Sequence, residues 1–239
     1  MRYLYESHGR GGIYAKLVAA SISSDGKPIY TIETKAPKFI DAEFEKHRML
    51  SSNSSSSRAI PFKALEEYYI PFSIRAEQKG MQGNNEVSEN TSKTFRWTME
   101  RLKETSETYL WWYTKDCKEN KKTQDVEVVH KQHLNRYLEP WMFQKKVVTA
   151  TEWNNFFELR LAEDAQPEIQ ELAKCMKECI DNADPIELNS GVWHLPYALA
   201  GTYGVEAVYS SVAGCARVSY GRAGGKEERS YSDDKALYD

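Results

Sequence analysis

The chain has 239 residues, of which 41% are hydrophobic, with a formal net charge of -3 at pH 7 and a pI near 6.0. This length and apolar content predict a single domain with a substantial core. The lack of excess positive charge argues against a general nucleic-acid binder, because few counterions could be displaced. No apolar run is long enough to cross a membrane and the N-terminus has no apolar signal region, so no membrane association is predicted.

Cysteine and histidine spacing gives no sign of a metal site. The cysteines are Cys117, Cys175, Cys179 and Cys215. Cys175 and Cys179 lie four residues apart and share one face of a predicted helix, but no Cys or His pair lies near them. His130 and His133 lack a third ligand. We therefore predict reduced thiols and no bound metal.

The first predicted elements are a hairpin and a helix. Residues 14–35 contain two strand-like runs around Asp25-Gly26, a dipeptide typical of tight hairpin turns. Residues 39–50 follow with helical spacing, which predicts a buried side formed by Phe39, Ile40 and Phe44. The cationic residues 46–48 would then lie at the end of this helix.

A run of hydroxyl and amide side chains comes next, over residues 51–57, and ends at Arg58. Two interpretations are open at this point. Ser-rich runs are commonly flexible linkers. Alternatively, hydroxyl and amide donors between Arg48 and Arg58 could cradle phosphate oxygens, because each guanidinium presents a planar pair of donors.

Hydrophobic periodicity predicts most of the remaining elements. Helices are predicted at 94–118, 124–138, 152–164, 204–220 and 232–239, and a further helix begins at Pro167. Thr151 should cap the 152–164 helix and Asp164 the helix from Pro167. Residues 141–151 should form a short extended or irregular crossing. The 94–118 helix should bury a stripe formed by Phe95, Met99, Leu102, Ser106, Tyr109 and Tyr113. The helix from Pro167 should bury a stripe formed by Ile169, Leu172, Ala173, Met176 and Ile180. Arg160 lies among large apolar residues and should be paired with Glu158, Glu163 or a ligand.

The segment KHRMLSSNSSSSRA resembles the motif RHRxxSxNxxSxRY of the flavin-dependent thymidylate synthase (ThyX) family. Six positions match at their spacings: His47, Arg48, Ser51, Asn53, Ser56 and Arg58. Four positions depart from the family pattern: Lys46 for Arg, Ala59 for Tyr, Ser54 for an acidic residue and Glu43 for Gln.

Later segments extend the resemblance: NRYLEP, NNFFELRLAEDAQPEI, and GVWHLPY with ARVSY, the last pair being typical of phage-type members. ARVSY opens the usual family chain but comes late here, so the order resembles a circular permutation. The family's HxSPFEH-like segment, which contacts flavin, has no counterpart in the sequence. The resemblance therefore implies one ThyX-like domain over residues 1–239, incomplete at its C-terminal end, with an α+β fold in which helices flank a central, mainly antiparallel sheet.

The resemblance also implies a site for dUMP and FAD. Substrate contacts would come from Ser56, Ser57, Arg58, Arg136 and Arg160, with Arg160 as the catalytic residue that polarises the uracil. Flavin contacts would come from Lys46, His47, Arg48, Asn155 and Ser219. NADPH and methylenetetrahydrofolate would be co-substrates. The protein would be a homotetramer with sites between subunits, in the cytoplasm of a bacterium or a phage-infected host.

Four functional hypotheses follow. The first is a stand-alone synthase that methylates dUMP. The second is a split or truncated family member that is inactive until a separate polypeptide supplies the HxSPFEH-like segment. The third, based on Ser54 and Ala59, is a related enzyme that makes hydroxymethyl-dUMP. The fourth is a non-enzymatic Ser-rich binding module.

Overall fold

The structure is a computed structural model that describes residues 5–60, 67–77, 85–120, 129–220 and 229–239. In these ranges the strands are β1 (Glu6–His8), β2 (Tyr14–Ser23), β3 (Pro28–Pro37), β4 (Ser51–Ser54), β5 (Phe143–Ala150) and β6 (Ile186–Leu188). The α-helices are α1 (Asp41–Phe44), α2 (Glu89–Asn120), α3 (Lys131–Leu134), α4 (Asn154–Arg160), α5 (Pro167–Asp181), α6 (Gly204–Arg217) and α7 (Tyr231–Tyr238). None of these helices combines the length and the apolar character that a membrane span requires.

The strands form one mainly antiparallel sheet in the order β1-β2-β3-β5-β4. Every neighbouring pair in that order is antiparallel, and β6 adds to β2 in parallel. α5 packs against β1, β2 and β3. The predicted α+β class, with helices flanking a mainly antiparallel sheet, is confirmed.

The hairpin predicted around Asp25-Gly26 is also confirmed. β2 and β3 pair antiparallel along nearly their whole length. Gly26 has a φ of 77°, a backbone conformation that costs a glycine little. The register shifts between Leu17 and Ala19, and such a bulge increases the local twist of the sheet.

One face of the sheet packs against α4 and α5 to form the main core. Ile32 and Val148 lie on adjacent strands and are fully buried in one cluster with Ile169 and Met176 of α5. Fully burying one such side chain contributes roughly 1.5–3 kcal/mol, so this layer holds α5 firmly on the sheet. The stripe predicted for the helix that begins at Pro167 is therefore confirmed.

Two predicted helix caps are wrong. The N-cap of α5 is Gln166 rather than Asp164, because the residue before Pro167 is held in an extended conformation and cannot be helical. α4 begins after Trp153 rather than Thr151. The Trp153 ring is buried and its indole N–H donates to the last carbonyl of β5 at 3.1 Å. Core packing, not side-chain capping, therefore sets the start of α4.

The second face of the sheet is covered by residues 191–220. The anchors are hydrogen bonds of His194 with Thr31 and Ser21, each 2.8 Å, and a 2.7 Å bond that Tyr197 donates to Glu33. This segment lies more than a hundred residues beyond the β2–β3 hairpin in sequence and yet forms the second layer on it.

The helix predicted for residues 39–50 is much shorter than expected. A 3-10 turn (Lys38–Ile40) leads into α1, and residues 45–50 form turns. Ile40 and Phe44 are buried as predicted, whereas Phe39 is exposed. The cationic residues 46–48 therefore lie in a turn between α1 and β4.

The interpretation of residues 51–57 as a flexible linker is wrong. Ser51–Ser54 form β4, the edge strand of the sheet, in register with the interior strand β5. Serine has little preference for strands, so composition alone could not predict β4. Residues 51–54 form a strand because β5 offers them a row of backbone hydrogen-bond donors and acceptors. β5 itself was predicted only as a short crossing.

α2 confirms the helix predicted for residues 94–118 but not its buried stripe. Phe95, Leu102 and Tyr109 are 44%, 53% and 69% exposed, whereas Leu110 is 2% exposed. Leu110 belongs to a second core cluster, whose other buried members are Leu138, Trp141 and Met142. Large apolar residues occur on more than one face of α2, so periodicity alone could not identify the face that packs.

The helix predicted for residues 124–138 lies only partly within the described ranges, because residues 121–128 fall outside them. From residue 131 the chain forms α3 and then a 3-10 turn, Asn135–Tyr137, rather than one continuous helix.

The helices predicted near the C-terminus are confirmed as α6 and α7. A reciprocal capping box between Ser230 and Asp233 begins α7. Asp234 is completely buried and pairs with Arg217 and Arg229, which ties α7 to the end of α6.

Candidate functional site

The motif residues lie around β4, beginning in the turn that follows α1. The backbone N–H of His47 donates to the last carbonyl of α1 at 3.1 Å, and the N–H of Leu50 donates to the His47 carbonyl at 3.0 Å. This turn buries the imidazole of His47 and leaves Lys46 and Arg48 exposed. One neutral ring is thus presented inward and two cations outward.

Arg160, at the end of α4, is bound to the motif turn. Its Nε donates to His47 Nε2 at 2.8 Å, and its Nη2 lies 3.3 Å from Glu43 Oε2. The prediction that Glu158 or Glu163 pairs with Arg160 is wrong. Glu158 lies only two residues before Arg160 on α4, on a different face of that helix, and Glu163 lies beyond the end of the helix. The packing of α4 beside α1 instead brings Glu43 to the guanidinium.

The electrostatics of this cluster favour neutral His47 and ionised Glu43. Burial of the imidazole, and then the nearby positive charge of Arg160, lower the pKa of His47 below its ordinary value. The hydrogen bond from Lys46 lowers the pKa of Glu43, and Arg160 adds to this shift. A neutral His47 can accept the Arg160 hydrogen bond at Nε2, which an imidazolium could not.

After β4 the chain forms a tight loop over residues 55–60. The backbone N–H groups of Ala59 and Ile60 both donate to the carbonyl of Ser56, at 2.9 and 3.0 Å. The N–H of Arg58 donates to Ser56 Oγ at 3.2 Å, and the Arg58 side chain is exposed. This local bonding is what favours serine in turns, and it holds Ser57 and Arg58 at the outer side of the loop.

Arg136 is brought to this loop through its neighbour. The side-chain amide of Asn135 donates to the carbonyls of Ser57 and Ile60. Arg136 is exposed in the same 3-10 turn. Residues some eighty positions apart are thereby joined, with the basic side chains of Arg58 and Arg136 both facing solvent.

Ser219 is joined to the motif through β4. Asn53 donates through Nδ2 to the carbonyl of Cys215 at 2.8 Å and accepts through Oδ1 from Ser219 Oγ at 3.0 Å. The backbone N–H of Ser56 also donates to the Ser219 carbonyl at 2.9 Å. The ARVSY segment therefore packs directly on the Ser-rich motif.

Buried Lys146 on β5 supports the turn from behind. Its Nζ lies 2.5 Å from Asp41 Oδ1 and also pairs with Glu45, so it bonds α1 on both sides of Glu43. A cavity of about 20 Å³ beside it is lined by Asp41 and Lys146 and by apolar residues that include Phe44 and Leu172. That volume suits no more than about one water molecule, so this cavity is not a nucleotide site.

The structure thus brings together most of the predicted site residues, in two groups. His47, Arg160 and the exposed Lys46 and Arg48 surround the turn after α1, while Ser56, Ser57, Arg58, Arg136 and Ser219 surround the loop after β4. Asn155 is exposed in the first turn of α4 and makes no hydrogen bond to either group within the described residues.

The exposed guanidinium groups of Arg48, Arg58 and Arg136 have no acidic partner within 4 Å in the part of the chain that the structure describes. Most other basic side chains near this site are neutralised by carboxylates, as Lys146 is. Positive charge that is not neutralised internally, next to a hydroxyl-rich loop, is suited to binding an anion.

Sequence reasoning missed two residues of the site. Glu43 was noted only as a departure from the family pattern, although its position three residues before Lys46 could have indicated a local ion pair. Asn135 had no detectable signal, because its role depends entirely on carbonyls that lie far away in the sequence.

These features define an α+β protein with a cationic, hydroxyl-rich site at the edge of an antiparallel sheet. The family model described as thymidylate synthase complementing protein matches residues 27–186, which is more than half of the chain. The protein therefore belongs to that family, the ThyX family, and the resemblance seen in the motif is confirmed. Membership implies thymidylate synthase-type activity. A search of curated proteins finds no match.

The matched range includes the whole motif, Arg136 and Arg160, but ends before Ser219. The association of Ser219 with the site therefore depends on its hydrogen bond with Asn53 rather than on the family match.

Proposed function

We propose that the protein catalyses the FAD-dependent reductive methylation of dUMP to dTMP, with methylenetetrahydrofolate and NADPH as co-substrates. The observation that carries the proposal is the pair of exposed guanidinium groups, Arg58 and Arg136, at the hydroxyl-rich loop after β4. Family membership supports the reaction class.

The donor set of the loop fits the phosphate of a nucleotide. A phosphate monoester carries between one and two negative charges near pH 7 and offers three strong acceptor oxygens. Arg58 and Arg136 would supply charge, and Ser57 a hydroxyl donor. Ser56 accepts the Arg58 N–H at its Oγ and therefore keeps its own hydroxyl proton to donate.

Arg160 is suited to stabilise charge that develops on the uracil ring. Its Nε and Nη2 are bonded to His47 and Glu43, while Nη1 has no hydrogen-bond partner among the described residues. When a hydride adds to C6 of the pyrimidine, negative charge moves towards a ring carbonyl oxygen. A guanidinium whose orientation is already fixed stabilises that charge without reorganising during the reaction.

The second group of residues fits a flavin nucleotide. Arg48 is an exposed cation suited to its diphosphate, and Lys46, which is paired with Glu43, lies beside it. Asn155 and the Ser219 hydroxyl could bind polar edges of the flavin ring. When bound, reduced flavin would supply the hydride, and the folate would supply the one-carbon unit. The role of the protein residues would be to bind, orient and stabilise charge.

The test is an assay of the purified protein with FAD, NADPH, methylenetetrahydrofolate and dUMP. We expect flavin absorbance and dUMP-dependent oxidation of NADPH, with the mass of the product identifying a methyl rather than a hydroxymethyl group. Arg160→Ala and Arg58→Ala should each abolish or greatly reduce turnover. The proposal fails if neither flavin binding nor dUMP-dependent oxidation occurs, with or without a second polypeptide that carries an HxSPFEH-like segment.

The proposal includes assembly into a homotetramer in the cytoplasm of a bacterial or phage-infected cell. α2 supports this, because Trp97, Trp111 and Trp112 are each more than half exposed, at 59%, 55% and 56%. Exposed apolar patches of this kind commonly mark protein contacts. Light scattering during size-exclusion chromatography should give four times the chain mass, and a monomer at all concentrations would overturn this part alone.

A further inference from the structure

Asn135 is completely buried, and both of its amide hydrogens are used on a distant loop. Its Nδ2 donates to the carbonyl of Ile60 at 2.6 Å and also to the carbonyl of Ser57. Both partners are carbonyl oxygens, which can only accept. The nitrogen of the amide, and not its oxygen, must therefore face the loop.

The amide is held in place from behind by the second core cluster. Asn135 begins the 3-10 turn that the backbone N–H of Leu138 closes on its carbonyl at 3.0 Å. Leu138 is 1% exposed and packs with Leu110, Trp141 and Met142. Because this turn is anchored in the core, Asn135 is held in a fixed position, and its hydrogen bonds hold the loop in turn.

The loop is curved by the same contacts. Inside the loop, the Ser56 carbonyl accepts hydrogen bonds from two backbone N–H groups. From outside the loop, the Asn135 amide donates to the carbonyls of Ser57 and Ile60. Free carbonyl oxygens carry partial negative charge and would repel a phosphate. Engaging two of them on Asn135 reduces that repulsion where Ser57 and Arg58 meet the ligand.

Local stability alone gives a weaker reason for an amide at this position. Asn135 Oδ1 is buried and has no hydrogen-bond partner within the described ranges. An unsatisfied buried acceptor of this kind generally destabilises a fold. The two hydrogen bonds that Nδ2 donates to the loop therefore explain why an asparagine occupies this position.

We propose that Asn135 is a positioning residue for nucleotide phosphate: it fixes the Ser56–Arg58 loop and presents Arg136 beside it, without itself touching the ligand. This inference rests on the proposed function, since it assumes that the loop binds the phosphate of dUMP. It assigns a role to a residue outside the motif, in a turn whose only predicted site residue was Arg136.

The test compares two ligands that differ only in the phosphate, dUMP and deoxyuridine, by calorimetric titration of the full chain. Asn135→Asp turns both bonds to the loop into repulsions, and Asn135→Ala removes them. We expect the dissociation constant for dUMP to rise about tenfold or more in both variants, while that for deoxyuridine stays within about twofold. In turnover assays KM for dUMP should rise more than kcat falls.

A matched control is Asn182→Asp, which breaks a 2.9 Å amide bond to the Glu178 carbonyl at the exposed end of α5. It should change neither dissociation constant. The wild-type protein offers a second measurement that does not depend on variants folding. In nitrogen-15 NMR spectra, the Asn135 side-chain amide should resist solvent exchange and shift with dUMP but not with deoxyuridine.

The outcomes separate the two proposals. If wild-type protein does not prefer dUMP to deoxyuridine, the proposed function fails and this inference fails with it. If wild-type protein prefers dUMP but the Asn135 variants keep that preference, or lose affinity for both ligands equally, only the role of Asn135 is overturned. The same holds if its side-chain amide exchanges freely.

Discussion

Arg160 Nε donates a 2.8 Å hydrogen bond to His47 Nε2, across 113 positions of sequence. The bond exists only while that ring nitrogen is unprotonated. The His47 ring also contacts Phe156 edge-on, one turn before Arg160 on α4. The guanidinium is therefore oriented by a neutral imidazole, which is itself held by the core.

Acidification should disrupt this contact. Burial, and then Arg160, lower the pKa of His47 from 6.5, so the folded protein favours the neutral ring more than the unfolded chain does. The stability gained is fully present above pH 6.5 and is lost as the pH falls towards the lower folded value. We expect the affinity for dUMP to weaken as the pH falls below 6.5, as measured by titrations above and below that pH.

The matched variant is His47→Gln, whose side-chain oxygen can accept the Arg160 hydrogen bond but does not titrate. The phosphate of dUMP also titrates near pH 6, and comparing the two proteins removes that contribution. The variant should show a flatter decline in affinity than wild type. Identical profiles in the two proteins would contradict the role assigned to His47.

Glu43→Gln should raise the turnover rate for dUMP. The Glu43 carboxylate, kept ionised by Lys46 and by Arg160, offsets part of the positive charge that Arg160 presents. A glutamine retains a hydrogen-bond acceptor for Arg160 and removes the negative charge. We expect kcat to rise several-fold in steady-state assays. Glu152→Gln, which removes an exposed surface partner of Lys27, should leave kcat unchanged, and a loss of activity in Glu43→Gln would refute this account.

Asp234→Ala should strongly destabilise the protein. The carboxylate is completely buried between Arg217 and Arg229 and also accepts from Ser210 at 2.8 Å. Removing one partner of a buried ion pair leaves uncompensated charge, which costs about 3–5 kcal/mol.

Urea unfolding followed by circular dichroism measures this cost. The control is Asp239→Ala, which removes the exposed partner of Lys235 on the same helix and should leave the unfolding midpoint unchanged. Equal midpoints for wild type and Asp234→Ala would show that α7 is not held by this network.

His194 should make stability depend on pH in the acidic range. Burial lowers its pKa to about 4 from 6.5, because the imidazole lies between Thr31 and Ser21. Its contribution is therefore complete above pH 6.5 and declines as the pH falls to about 4. Thermal unfolding of wild type should show this decline, and His194→Gln should reduce its slope. His8→Gln, at an exposed histidine, should not.

Local patterns were sufficient where a feature depends on neighbouring residues. Asp25-Gly26 predicted the central hairpin because turn geometry is set by the turn residues. The stripe of α5 was predictable because only one of its faces is apolar. The spacing of His47, Asn53 and Arg58 identified the family, because a binding loop needs particular residue types at particular separations.

Long-range partners explain the errors. Ser51–Ser54 became a strand because β5 pairs with it, and serine content carries no information about β5. The partner of Arg160 is Glu43 rather than Glu158 or Glu163, because the packing of α4 beside α1 brings Glu43 close in space although it is far away in sequence. Asn135 could not be recognised at all, because a single amide in a turn acquires a role only from carbonyls that the fold brings to it.

The bond between Asn53 and Ser219 also bears on how the protein acquires its site during synthesis. The two residues are separated by 166 positions. At ribosomal rates of about 5–20 residues per second, the edge strand would emerge roughly ten to thirty seconds before the serine that completes its hydrogen bonds. The strand itself forms only once β5 has been made, and from then until Ser219 emerges its edge would lack these hydrogen bonds and be open to mispairing. The serine and asparagine side chains of β4, together with Arg48 and Arg58 on either side of it, would then protect the chain from aggregation before they take part in binding.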